Sequence, residues 1–179
     1  MAPPLYVLFL VALGLRLGSL WISRRNEQRL RAQGAVESGA RTSRLLAVLH
    51  TAIYLGCLIE GIIRGAQFDT AAQAALGVYA LAMLALGMVI RALRPVWTVK
   101  LLFLPDHPVN RGWLFRRVRH PNYLFNLIPE VVSLPVVFDA WITLAVLVPV
   151  YLVVLGIRVM EEERVLRTLP DAGSTIPEG

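Results

Sequence analysis

Residues 70–90, TAAQAALGVYALAMLALGMVI, run without a single charge. At 1.5 Å per residue, a helix of that length covers a hydrocarbon core of about 30 Å. In lipid a backbone must satisfy its own hydrogen bonds, so such a block folds as a helix. Four further apolar blocks lie at about 3–23, 45–63, 122–138 and 140–158. The block at 122–138 contains Glu130, Pro129 and Pro135, and the prolines predict a bend or break. The spacing therefore predicts an all-α, polytopic integral membrane protein of about five transmembrane helices, one domain over 1–179. Composition excludes the other classes. Apolar residues make up 56% of the chain, which rules out disorder. Charged residues make up 17%, too few to cover a small soluble globule. The first block is not a signal peptide: no basic stretch precedes it, and it ends at Arg24-Arg25 rather than at small residues. Within it, Gly14 and Gly18 form a G-x-x-x-G pair that would permit close helix packing.

The formal net charge is +6. A basic chain suggests nucleic acid only when its charge forms a soluble face. Here the arginines cluster beside the apolar blocks, as at a membrane surface. The 23–44 loop has six, and the 91–120 segment has Arg91, Arg94, Lys100, Arg111, Arg116, Arg117 and Arg119. The opposing turns are short and poor in basic residues. The positive-inside rule puts both basic loops in the cytoplasm, giving an inner-membrane protein with its N-terminus outside and its C-terminus inside. Residues 95–119, where Trp97, Phe103, Trp113 and Phe115 interleave with basic residues, read as an interfacial segment. Residues 170–179 read as an exposed tail. One cysteine, Cys57, excludes an internal disulfide, and three scattered histidines predict no metal site.

Polarity gathers in three places. Arg119, His120, Pro121, Asn122 and Tyr123 stand at the mouth of the fourth span, with Asn126 one turn on. Glu130 lies deeper, where an ionisable group needs a partner or a polar cavity. At the end of the fifth span, Arg158, Glu161 and Glu162 share one helix face by i,i+3 and i,i+4 spacing, and Glu163 is expected to point away. Acidic groups there oppose the helix dipole and add negative charge on the basic side, as a cationic ligand would require. His50, inside the second span, is expected to be a packing residue first and pocket lining second.

No H-E-x-x-H, G-x-S-x-G or P-loop pattern is present. The stretch RHPNY at 119–123, followed by R-x-x-E-E at 158–162, resembles the isoprenylcysteine carboxyl methyltransferase family and its phospholipid methyltransferase relatives. SRRNEQRLRAQGAVESGAR at 23–41, with LLAVLH at 45–50, looks like the bacterial branch found beside type III polyketide synthases. The resemblance implies S-adenosylmethionine as cofactor and an amphiphilic or lipid acceptor reached from the bilayer, of the alkylpyrone or phenolic-lipid kind. It assigns cofactor binding to Arg119, His120, Tyr123, Glu161 and Glu162, and catalysis to Arg158 and Glu162. Beside the resemblance, Asn126 joins the cofactor set by its place on the first turns of the fourth span, Glu130 joins the catalytic set as a candidate base, and one of these two is expected to line the acceptor pocket. No nucleic acid and no obligate protein partner is implied. Phe125 stands where the family commonly has glycine, and is expected to narrow the cofactor cleft or to reshape the lipid channel. Two other readings are a sterol-type membrane reductase using NADPH, and a non-catalytic membrane adaptor with a degenerate cleft.

Overall fold

The computed structural model describes residues 1–103, 120 and 122–168. The remainder of the interfacial segment with Arg119 and Trp113, then Pro121, and the tail from 169, lie outside the described residues. The chain is a bundle of apolar helices: α1 (Pro3–Ala32), α2 (Ala40–Ile63), α3 (Thr70–Ala92), α4 (Tyr123–Val137) and α5 (Thr143–Thr168). Four of them are long and apolar enough to cross a membrane. The expected fourth span is the short one. Its fifteen residues, 123–137, cover about 22 Å, less than a full hydrocarbon core.

Prolines shape α4 and α5 alike. Pro129 and Pro149 have no N–H, and each ring crowds the carbonyl four residues earlier. Neither helix breaks. Each instead opens with one wide π turn, Tyr123–Leu127 and Thr143–Leu147, just ahead of its proline. Ile128 N–H donates to the Tyr123 carbonyl, and Val148 N–H to that of Thr143. Pro135 also sits inside α4 without interrupting it.

Two three-residue strands depart from the all-α expectation. β1 (Val36–Ser38) pairs antiparallel with β2 (Leu101–Phe103), Glu37 opposite Leu102. Part of the segment expected at the interface thus bonds to the first basic loop. Lys100 Nζ reaches Glu27 on α1 at 2.6 Å and Glu37 on β1 at 3.7 Å. α1 runs beyond its apolar block, so that buried Asn26 donates to the Trp97 carbonyl at 2.8 Å.

The core joins Leu5 and Phe9 of α1, Ile53 and Cys57 of α2, Val131 and Leu134 of α4, Phe138, and Tyr151 of α5. Phe9 meets Phe138 edge to face at 5.8 Å. α2 lies against α5 at Gly56, where a Cβ would run into the Thr143 side chain. Gly14 and Gly18 have nothing within 4 Å of an added Cβ, so the G-x-x-x-G pair is not a packing seam in this chain. The Ala2 N–H bonds the Ala66 carbonyl at one end of the bundle. At the other end the start of α2, the start of α4 and the end of α5 come together.

Candidate active site

At that second end, His120 stands just before α4 and between two carboxylates of α5. Its Nδ1 is 3.5 Å from Glu162 Oε2, and its Nε2 is 3.5 Å from Glu163 Oε1. Tyr123 stacks on the imidazole with ring centroids 5.6 Å apart and donates its hydroxyl to Glu162 at 2.8 Å. The bond to Glu162 raises the His120 pKa above its ordinary value, burial opposes the rise, and Glu163 adds to it. Glu163 therefore does not point away. Consecutive helical residues are 100° apart, so Glu162 and Glu163 straddle one ring while Glu161 turns toward α2.

Glu161 accepts from Thr42 at 2.8 Å, and its Oε2 is buried without a hydrogen-bond partner. It is not among the residues that line the cavity. Gly39, the residue before α2, explains how close this contact is. It has φ 63°, and a Cβ there would strike the Glu161 carboxylate. Arg158, 2% exposed, donates to Ser43 Oγ at 2.6 Å and to the Val99 carbonyl at 3.0 Å. It locks the start of α2 and the 97–103 strip onto α5.

These groups border a cavity of about 740 Å³. The upper wall carries His120, Asn122, Tyr123, Glu162, Glu163 and Arg167. Arg158 and Asn126 line it lower down, and Asn126 also donates to the Ala82 carbonyl on α3 at 3.2 Å. Asn122 Oδ1, Asn126 Oδ1 and Trp97 Nε1 are buried without partners among the described residues, and all three residues line the cavity. Native proteins rarely leave such atoms unpaired, so these mark ligand-binding capacity. Much of the remaining wall is apolar, from Leu13, Leu17 and Leu20 of α1 to Leu46 of α2 and Leu86 of α3. Leu17, Ala47 and Thr51 line the cavity and are also exposed, which places an opening between α1 and α2 on the outer wall of the bundle.

Glu130 does not line the cavity. It is fully buried beneath it, and Arg16, His50 and Tyr54, which do line it, surround its carboxylate. Phe125 is 41% exposed and lies outside the lining set, so it does not narrow the cleft.

Residues 75–168 match the isoprenylcysteine carboxyl methyltransferase (ICMT) family. The chain belongs to the ICMT family. Members of this family are membrane methyltransferases that generally use S-adenosylmethionine as methyl donor. The matched region contains α4, α5 and the His120–Glu162 contact. Two similar proteins extend the likeness into the N-terminal half. An uncharacterized protein of Haemophilus influenzae is 39% identical over 163 residues, 91% of this chain and 95% of its own length. The uncharacterized protein YpbQ of Bacillus subtilis is 22% identical over 162 residues, 90% of this chain and 96% of its own. No solved structure matches the chain.

Sequence reasoning missed four contributors to this ICMT cavity. Arg16 is one. An arginine within an apolar block is itself a signal, because it needs a counter-charge at the same depth. Glu163 is the second: i,i+3 and i,i+4 spacing puts it off the Arg158 face, but a ring lodged between two helix faces meets both Glu162 and Glu163. Trp97 and Val99 carry no motif at all and enter through the β1–β2 pairing.

Proposed function

We propose that this chain transfers a methyl group from S-adenosylmethionine to an oxygen of a membrane-partitioned amphiphile, an alkylpyrone or phenolic lipid of the bacterial polyketide-associated branch. The observation that carries the reading is the carboxylate pair Glu162 and Glu163 facing one cavity together with His120 and Tyr123. The donor set fits the cofactor. Two carboxylates answer a cationic ligand, Arg167 answers a carboxylate, and the unpartnered atoms of Asn122, Asn126 and Trp97 answer further polar groups. A volume of about 740 Å³ suits a small-molecule cofactor with an acceptor headgroup beside it.

S-adenosylmethionine supplies an electrophilic methyl group on a sulfonium. Glu162 and Glu163 provide the counter-charge, and His120 and Tyr123 hold Glu162 in position. Arg158 fixes the 97–103 strip over the cavity and contributes positive charge there. Asn126 orients whatever lies between the polar upper wall and the deeper apolar part. Apolar walls and the opening between α1 and α2 support an acceptor that arrives from the bilayer. The two basic loops flank the site end of the bundle, which supports a cytoplasmic site, an outside N-terminus and an inner-membrane location.

The test is binding followed by transfer, on detergent-solubilised protein. Saturable binding of S-adenosylhomocysteine, no binding of NADPH, and labelled methyl entering a lipid extract are the expected results. NADPH binding would replace this reading with the reductase, and no cofactor binding would replace it with the adaptor.

A further inference from the structure

Beneath the methyl-donor end lies a second polar group that no part of the reading above uses. Tyr151 lies seven residues before Arg158 on α5, about 10 Å deeper in the bundle. At that level Glu130 Oε2 accepts from Arg16 Nη1 at 3.4 Å, and Glu130 Oε1 accepts from the Tyr54 hydroxyl at 2.9 Å. His50 Nε2 stands 3.2 Å from the same Oε1, and His50 Nδ1 stands 3.4 Å from the Tyr151 hydroxyl. Tyr79 closes the group, with its hydroxyl 3.5 Å from that of Tyr54. These residues come from all five helices.

Two features make this a site rather than internal pairing alone. Arg16 makes a single side-chain hydrogen bond among the described residues, and that bond is long. Four of the five N–H donors of its guanidinium have no partner among the described residues, and its side chain lines the cavity. An arginine at membrane depth with unused donors facing a cavity is costly without a ligand. His50 also lines the cavity. Donating Nε2–H to Glu130 leaves the lone pair on Nδ1, which accepts from the Tyr151 hydroxyl at 3.4 Å, and Tyr151 also lines the cavity.

We propose that Arg16 and His50 form the acceptor's oxygen-acid subsite, in which Arg16 holds the oxygen of an acidic hydroxyl or carboxyl on an amphiphile and His50 Nδ1 takes its proton through the Tyr151 hydroxyl. This deepens the methyltransferase reading and rests on it for the word acceptor. In the step, the O–H bond breaks and its electron pair stays on oxygen. The Tyr151 hydroxyl takes that proton and passes its own to His50, so an N–H bond forms at Nδ1 and the tyrosine is left unchanged. The imidazolium then faces Glu130, and the oxyanion faces Arg16. Charge is conserved within the cluster: Arg16 and Glu130 sum to zero before the step, and imidazolium and oxyanion sum to zero after it. The ligand crosses the apolar wall as a neutral acid, so no net charge enters the low-dielectric interior. Glu130 touches no ligand and is a positioning residue. The same arrangement rejects amines, because an ammonium faces the Arg16 cation and a neutral amine has no acidic proton to give.

The experiment uses full-length protein in nanodiscs with saturating S-adenosylhomocysteine, so that Glu162 and Glu163 are occupied, and a long-chain 2-alkyl-4-nitrophenol, whose phenolate is yellow. The bound probe is expected to ionise ~1–3 pH units below the same probe in empty nanodiscs, as for an acid beside an arginine. A fatty acid of equal chain length displaces it if the carboxyl form is preferred, and a long-chain 4-hydroxy-2-pyrone if the enol form is preferred. Displacement by either supports the subsite, and a long-chain amine is expected not to displace the probe. Arg16→Gln alone would strand the Glu130 charge, so the neutral pair Arg16→Gln with Glu130→Gln is used, and it is expected to abolish the shift. His50→Gln keeps a donor to Glu130, and is expected to bind the probe without the yellow colour. Melting and S-adenosylhomocysteine binding report whether each variant is folded. The proposal is overturned if the probe titrates identically in loaded and empty discs, if either variant retains the full shift, or if the amine competes as well as the acids. Failure of S-adenosylhomocysteine to bind the native protein would sink the methyltransferase reading instead, whatever the probe does.

Discussion

Replacing Glu162 by Gln removes one negative charge while leaving an oxygen to accept the Tyr123 hydroxyl. The local packing therefore survives, and the change reads as electrostatics. A hydrogen bond to a charged group is worth about 1.5–3 kcal/mol. The Glu162 side chain is 24% exposed, and solvent screens part of that, so the lower half of the range applies. A loss of about 1.5–2 kcal/mol corresponds to roughly 10- to 30-fold weaker binding of S-adenosylmethionine. The neighbouring Glu161→Gln provides the contrast. Glu161 faces Thr42 rather than the cavity, and a glutamine there still accepts the Thr42 hydroxyl. Its effect on donor affinity should stay within about twofold. Isothermal titration on both variants, with S-adenosylmethionine and S-adenosylhomocysteine, makes the measurement. A larger loss for the sulfonium-bearing ligand assigns Glu162 to the sulfonium, and equal losses assign it to the amino group. Equal effects of the two substitutions, or no loss in Glu162→Gln, would refute the idea that the helix face decides which carboxylate serves the ligand.

Because the His120 pKa is raised above 6.5, its pairing with Glu162 and Glu163 contributes stability that is complete below about pH 6.5 and fades as pH rises through the raised value. Donor affinity should move the other way, increasing over that window as His120 releases the carboxylates, and the slope should vanish in His120→Gln; titrations at a series of pH values measure it. Tyr123→Phe removes one hydrogen bond to Glu162 and should weaken donor binding by about 1 kcal/mol, roughly fivefold, in the same calorimetric assay. Gly56→Val would drive a branched side chain into Thr143, and should destabilise the bundle by about 1–3 kcal/mol, read as a lower melting temperature in detergent.

Helix positions were legible because lipid leaves the backbone so few choices. The uncharged block at 70–90 became α3, and the Arg24-Arg25 boundary became the polar extension of α1. What the sequence conceals is depth and rotation. Glu130 signals that a partner exists, but nothing in an apolar string says that Arg16, 114 residues earlier, is at the same level. Glu161, Glu162 and Glu163 are chemically identical neighbours, and only the rotation of α5 about its axis separates the one that faces Thr42 from the two that hold His120. Prolines mislead in the opposite direction. Pro129 and Pro135 read as a bend or break, yet α4 runs on through both, and the π turn that absorbs Pro129 is the one that carries Tyr123 and Asn126 into the cavity wall.

That turn links the fold to the chemistry. α4 is too short to cross the bilayer by itself, so its mouth sits below the ends of α1 and α5 rather than level with them. A water-soluble, charged methyl donor must come within bonding distance of a ligand that prefers hydrocarbon. A full-length fourth helix would carry His120 and Tyr123 out to the aqueous surface, beyond the reach of such a ligand. The short helix recesses them to where Glu162 of α5 still reaches, while the apolar walls of α1 and α2 begin just below. The same shortness leaves room for the Val96–Phe103 strip to fold over the cavity and be locked by Arg158. Lengthening α4 by one turn ahead of Asn122 would separate His120 from Glu162 by about 5 Å and dissolve the site without disturbing the rest of the bundle.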